Sequence, residues 1–259
     1  MSIMHRDLGL PTPWLDSGLC SSFVKSATKL ATATATEHPS RKPLLAEHVM
    51  QFLRLGMFST DIAFVRAVVA VTLAFLTSVR GASIMQLAVS DVQVSDKGFE
   101  VQVWDEKSRK GTGVARSVSI EFAACPLVGQ VVLLFSQLQA QAFRPYRPQG
   151  FVQLPGESFP LKEGILNDCM QLCVAEGRLD GVYGSVLKGH SCRSGGVSAL
   201  HAIGGSLALA AARGGWRSLV TMFEHYLSLE VLPTKAAFQL LGFLLPPALQ
   251  EHGRHFYGL

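Results

Sequence analysis

Apolar residues recur at helical spacing from Ala46 to about Leu55, and this periodicity predicts a helix. A second helix is expected from Asp61 to Val79, where the chain is apolar almost without interruption and Ser59-Thr60-Asp61 supplies cap residues at the start. A third, shorter one is expected over about Ser83 to Val89. The period then changes from helical to alternating. Val92 and Val94, then Phe99, Val101 and Val103, then Val114, Val118 and Ile120 alternate with polar residues, which predicts three short antiparallel strands. Asp96-Lys97-Gly98 marks the first turn, and the polar, basic stretch Lys107 to Gly113 the second.

Helical patterning resumes at Pro126 to Ala142 and at Lys162 to Ala175, with a Pro- and Gly-containing loop, Pro145 to Gly156, between them. Further helices are expected from His190 or Ser191, over Ser206 to Ala212, over Ser218 to Leu229, and over Ala236 to Leu245. Pro246-Pro247 and a polar end follow. The fold class is therefore mainly α (α+β), helices on either side of a small three-stranded antiparallel sheet. Residues 1–40 read as a lead-in: a helix over Leu15 to Leu30, then a low-complexity linker through Ala31-Thr32-Ala33-Thr34 to Ser40.

Composition narrows the class. Of 259 residues, 48% are hydrophobic and only 16% charged, which suits a folded core and excludes a disordered chain. A net charge of +4 is compatible with a polyanionic partner without requiring one. His5, Arg6 and Asp7 are followed by no apolar signal segment. The long uncharged run Phe122 to Phe143 carries Pro126 and four glutamines, which argues for a core helix over a membrane span. Cys20, Cys125, Cys169, Cys173 and Cys192 form no CxxC pair, so buried thiols in a reducing compartment are expected rather than zinc ligands.

Several residues carry chemistry that the packing pattern does not explain. Gly189-His190-Ser191-Cys192-Arg193, Gly214-Gly215-Trp216 and His225-Tyr226-Leu227 stand in order in the last third of the chain, with Arg80 and Lys107 far upstream. Each has an ordinary reading when taken singly. Arg80 could cap the C-terminal end of the preceding helix. Lys107, Arg109 and Lys110 could be a solvated loop, and Lys110 rivals Lys107 for any lysine role. His190 could be a satisfied helix-start histidine, Trp216 could be core, and Tyr226 competes with Tyr146, Tyr183 and Tyr257.

Taken together, these segments resemble the catalytic domain of the tyrosine recombinase (phage integrase) family. Thr77-Ser78-Val79-Arg80-Gly81-Ala82-Ser83 resembles the first-arginine motif, Glu106-Lys107-Ser108 the β-hairpin lysine, His190-Ser191-Cys192-Arg193 the HxxR box, Gly214-Gly215-Trp216 the position of its His or Trp, and Tyr226 the nucleophile. Arg41-Lys42-Pro43-Leu44 resembles the usual start of that domain, so the likeness covers residues 41–232, leaving 233–259 as a C-terminal helix and tail. The chain departs from the pattern in three ways. Ser83 stands where the family usually has Glu. The interval from Trp216 to Tyr226 is one residue longer than usual, which puts His225 in the expected place. Only the lead-in precedes the match, which would make it the remnant of a DNA-clamping domain.

The resemblance implies strand cleavage and rejoining on double-stranded DNA through a 3′-phosphotyrosine link, with no metal or cofactor. Arg80 and Arg193 would each offer paired N–H donors to the phosphate oxygens. His190 would bond the phosphate or take the tyrosine proton, Trp216 would donate its indole N–H, and Lys107 would protonate the leaving 5′ oxygen. A phenol ionises by itself only near pH ~10, so a cationic surrounding is what would make Tyr226 a nucleophile. Related alternatives are a catalytically impaired DNA-binding relic of a mobile element and type IB topoisomerase-like relaxation. The Ala236–Leu245 segment could dock on a second copy, giving a homo-oligomer on DNA, or pack on its own domain. The compartment implied is intracellular, cytoplasmic in a prokaryote and nuclear in a eukaryote, with no membrane partner.

Overall fold

Thirteen of the sixteen residues of the helix Ile62–Thr77 are buried, which makes it the axis of the molecule. The computed structural model describes residues 42–95, 97–103, 116–179 and 181–259. The expected Leu15–Leu30 helix, the linker after it, Arg41, Val114 and the loop carrying Lys107, Arg109 and Lys110 lie outside the described residues.

Helix α1 (Ala46–Met57) and helix α2 (Ile62–Thr77) open the fold. An all-round apolar helix has no face for water and must be surrounded. Accordingly α2 packs against α1 and against three later helices, α4 (Pro126–Ala142), α5 (Gly164–Glu176) and α7 (Gly189–Ala202). The Asp61 carboxylate accepts the Ala63 N–H at 2.8 Å and caps the N-terminus, as the sequence leads one to expect. The helix stops at Ser78, which is left-handed (φ 53°), a conformation that costs a non-glycine residue on the order of 1 kcal/mol. The Ser78 hydroxyl donates to the Phe75 carbonyl at 3.3 Å and helps to hold that turn. The turn delivers Arg80 as the N-cap of the short α3 (Gly81–Met85). The expected helix over Ser83–Val89 is thus shifted and shortened, and a 3-10 turn at Val89–Asp91 follows instead, its Asp91 carboxylate accepting the Ala88 N–H.

Strands β1 (Val92–Val94), β2 (Gly98–Val103) and β3 (Arg116–Glu121) form an antiparallel sheet in that order. Phe99 pairs with Ile120 and Val101 with Val118, so one face of the sheet is buried and the polar residues alternate outward. The Ser95 hydroxyl accepts the N–H groups of Lys97 and Gly98 in the first turn.

After α4 the loop to α5 is organised around buried amides. Gln139 donates to the carbonyls of Phe151 (3.0 Å) and Gln153 (2.8 Å), and the Gln153 side chain accepts the N–H groups of Gln149 and Gly150. Arg66 of α2 pairs with Glu157 of this loop at 2.7 Å. Then come α6 (Gly181–Val186), α7, α8 (Leu207–Gly214), α9 (Leu219–His225) and α10 (Lys235–Leu241). The expected Ser218–Leu229 helix ends early: α9 stops at His225, leaving Tyr226 as its C-cap. The polar end is helical too. Pro247 starts α11 (Pro247–Tyr257), whose buried Gly253 lies against the Phe238 ring of α10, a pattern hidden in sequence because a single glycine marks the contact. Helix α10 itself packs on α1 and α7 of its own domain. No described helix is long and apolar enough to cross a membrane.

Two glycines of α7 permit close approach to neighbouring backbone in the core. A Cβ on Gly195 would run into the Leu44 carbonyl oxygen, and one on Gly196 into the Phe75 carbonyl oxygen. Gly196 therefore lets α7 lie directly on the C-terminal end of α2, and Gly195 lets it lie on the segment that enters α1; Arg193 and Arg80 line the same cavity. Cys125, Cys169, Cys173 and Cys192 are free and buried. Burial raises the pKa of all four, as expected for core thiols.

Candidate active site

A cavity of about 210 Å³ opens where α7, α8, α9 and the turn after α2 meet, lined by Arg80, Arg193, Gly215, Trp216, Arg217, Ser218, Thr221 and Tyr226. The volume suits a small anion or a phosphate group rather than a drug-sized ligand. Among the described residues that line it are three guanidiniums and no carboxylate, which makes the field from these side chains positive.

Arg193 is the most enclosed of the three cations, with only 5% of its surface exposed. Its guanidinium lies 3.7 Å from the Trp216 ring centroid and 5.1 Å from that of Tyr226. The two rings meet edge to face, 5.2 Å apart at 66°. One buried cation thus sits against both aromatic faces, an arrangement worth on the order of 1–2 kcal/mol per face when desolvated. Arg80 and Arg217 are exposed at the rim. Four of the six residues singled out in the sequence, Arg80, Arg193, Trp216 and Tyr226, therefore share one cavity. His190 is exposed in the first turn of α7 and is not among the lining residues, and Lys107 lies outside the described residues.

Local sequence explains each placement. Gly215 is left-handed (φ 71°) at the end of α8, and the Trp216 N–H bonds back to the Ala211 carbonyl at 2.9 Å, a helix-ending motif that only glycine adopts without strain. Gly214 leaves the space that the Trp216 ring fills. Arg116, from the start of β3, lies across Gly215 and donates to the Ala212 and Arg213 carbonyls at 3.4 and 3.3 Å. Arg213 reaches the other way and donates to the Leu76 carbonyl at 2.6 Å, tying α8 to the end of α2. The Ser218 hydroxyl caps α9 by accepting the Thr221 N–H.

Sequence reading missed Arg217, Ser218 and Thr221 as lining residues. The usable signal was their position between Trp216 and Tyr226. It also missed Arg116, for which no motif speaks. Among the described residues no group of three or more His, Cys, Asp or Glu side chains could hold a metal ion.

No family model matches the sequence, and no curated protein matches it. Solved structures do. A XerH site-specific recombinase bound to a palindromic difH substrate, in a post-cleavage complex, superposes with a TM-score of 0.51 at 14% identity, over 71% of this chain and 50% of that one. The pre-cleavage complex of XerH with difH gives a TM-score of 0.53 at 14% identity, over 71% and 49%. The XerA recombinase gives 0.54 at 12% identity, over 86% of this chain and 66% of that one. The chain thus spans about half the length of the XerH chain it matches. In chain path, with helices on either side of a three-stranded sheet, it has the fold of a tyrosine recombinase catalytic domain.

Proposed function

We propose that this chain cleaves and rejoins strands of double-stranded DNA through a 3′-phosphotyrosine intermediate, in integration or site-specific recombination. The observation that carries the reading is the placement of the Tyr226 ring against the buried Arg193, in a cavity that also holds Arg80 and Trp216 and, among the described residues, no carboxylate. The recombinase fold, and the DNA substrates of the XerH structures that share it, support DNA as the partner.

In this reading a phosphodiester enters the cavity with its non-bridging oxygens toward Arg80 and Arg193. Fixed guanidiniums stabilise the charge that grows on those oxygens, an effect of roughly a hundredfold or more for each donor. His190, one turn ahead of Arg193, takes up the phenol proton or a phosphate oxygen once DNA covers its exposed face. The phenolate oxygen attacks phosphorus; a phosphorus–oxygen bond forms as the bond to the 5′ oxygen breaks. Lys107 gives the leaving oxygen its proton, and the Trp216 N–H steadies a phosphate oxygen. The ester bond is conserved in the intermediate, so a 5′-hydroxyl can reverse the step without ATP. The setting is intracellular.

The test is adduct formation on a pool of nicked duplexes of random sequence, in which the fragment beside the nick diffuses away after cleavage. Covalent protein–DNA complexes that survive denaturant, and that vanish in Tyr226→Phe, are expected. Salt-sensitive duplex binding without any adduct would reduce the role to binding, and the absence of both would overturn the proposal.

A further inference from the structure

The residue that bears the phenol is not within a helix. Helix α9 ends at His225, and the Tyr226 backbone (φ −130°, ψ −28°) has already left helical geometry. The helix before it is seven residues long and has Met222 as its single buried side chain. A helix this short holds little position by its own hydrogen bonds. Something else must fix where the Tyr226 ring lies.

Two serines of α7 reach the main chain at this point. The Ser194 hydroxyl donates to the Tyr226 carbonyl at 2.5 Å. The Ser198 hydroxyl, one turn on, donates to the same carbonyl at 3.4 Å and accepts the Ser228 N–H at 2.8 Å. A hydroxyl can donate one bond while accepting others, so Ser198 holds the main chain on either side of Leu227, directly after Tyr226. Ser194 is 7% exposed and Ser198 1%, so water does not compete freely for these bonds. The Tyr226 N–H is held separately, by the Met222 carbonyl at 3.0 Å. Both main-chain polar groups of Tyr226 are therefore engaged, and the helix that engages its carbonyl is the one that carries Arg193.

We infer that Ser194 and Ser198 are positioning residues for Tyr226: they clamp its carbonyl and the Ser228 N–H to α7, so that the phenol is held in register with Arg193 despite the early end of α9. The inference rests on the proposed role of Tyr226 as nucleophile, and it gives the one-residue-longer interval after Trp216 a structural counterpart. Tyr226, which closes that interval, lies past a short helix, where a side-chain clamp sets the register instead of a helical one.

The test uses the full chain carrying 3-fluorotyrosine, with the fluorine signal of residue 226 assigned by its loss in Tyr226→Phe. In Ser194→Ala and in Ser198→Ala that signal is expected to shift and broaden, while the signals of the other three tyrosines stay. On the nicked duplex pool, adduct formation is expected to slow by about ten- to a hundredfold, because small displacements of a reacting group carry losses of that size. Duplex affinity should stay within about twofold. Ser198→Thr keeps the hydroxyl and should restore both readouts, which a general loss of packing would not allow. Should Ser198→Ala fail to fold, Ser194→Ala, which removes a single donor, decides. An unchanged fluorine signal together with an unchanged adduct rate overturns the clamp. If the parent protein forms no adduct on any duplex, it is the proposed function that fails, and the fluorine signal alone then decides the clamp.

Discussion

The guanidinium of Arg193 rests 3.7 Å from the centroid of the Trp216 ring. Arg193 is buried, so the indole face stands in for part of the water that a cation would otherwise demand. Trp216 should therefore matter to stability apart from any chemistry. We predict that Trp216→Phe, which keeps a π face, costs about 1 kcal/mol, and that Trp216→Ala costs about 3 kcal/mol, the sum of lost burial and an unshielded cation. Urea denaturation followed by circular dichroism measures both. Equal midpoints for the two variants would remove the cation–π account.

Gly195 and Gly196 are expected to tolerate no side chain. A Cβ at either position meets a backbone carbonyl oxygen, of Leu44 or of Phe75, and backbone cannot swing aside as a flexible side chain does. Gly195→Ala and Gly196→Ala should each destabilise by about 2–3 kcal/mol or more, even though alanine is the better helix former. A gain in thermal midpoint for either variant contradicts this packing.

Arg116 links the sheet to the cavity wall, since its guanidinium covers Gly215 and bonds the last carbonyls of α8. Arg116→Ala should lower stability by only about 1 kcal/mol, the usual net worth of such bonds. Its local effect should be larger. Amide hydrogen exchange at Gly215 and Trp216 is expected to rise well beyond the global change, and uniform exchange across the chain would show that the link is not local.

The buried thiols give a pH dependence of definite sign. Burial pushes Cys125 from 9.0 up to about 12, against a smaller opposing pull from the Arg213 charge, and pushes Cys169 up to about 11. The native state thus keeps protons that the unfolded chain releases near pH 9. The stability contributed is fully present below that pH and is lost as pH climbs through the folded values. In a Cys20→Ser protein, a disulfide reagent at pH 8 should react with none of Cys125, Cys169, Cys173 and Cys192 before denaturant is added, and with all four after. Between pH 9 and 11 the urea midpoint should fall less in Cys169→Ala than in its parent. Prompt reaction of any of the four in the native protein contradicts their placement.

Much of the fold was written in local patterns. Pro126–Ala142 is a helix over the expected residues, and the alternation of Phe99, Val101, Val118 and Ile120 is the buried face of the sheet, because burial on one side imposes those periods directly. Helix ends were less legible. The stop of α9 at His225 is followed by main chain bonded to Ser194 and Ser198, remote in sequence, and α11 packs through a glycine whose partner ring is in another helix. The cavity divides the same way. Arg80, Arg193, Trp216 and Tyr226 were found by type and order, whereas Arg217, Thr221 and Arg116 follow from three-dimensional adjacency that no spacing rule encodes.

The cavity draws one wall from the turn after α2 and the others from α7 through α9, segments at nearly opposite ends of the described chain. Contacts so distant along the polymer close late when a chain folds, after the local helices have formed and docked. A nascent or truncated product lacking the last third would keep much of the hydrophobic axis yet present no assembled anion pocket, so any chemistry housed there would switch on only when synthesis and folding are complete.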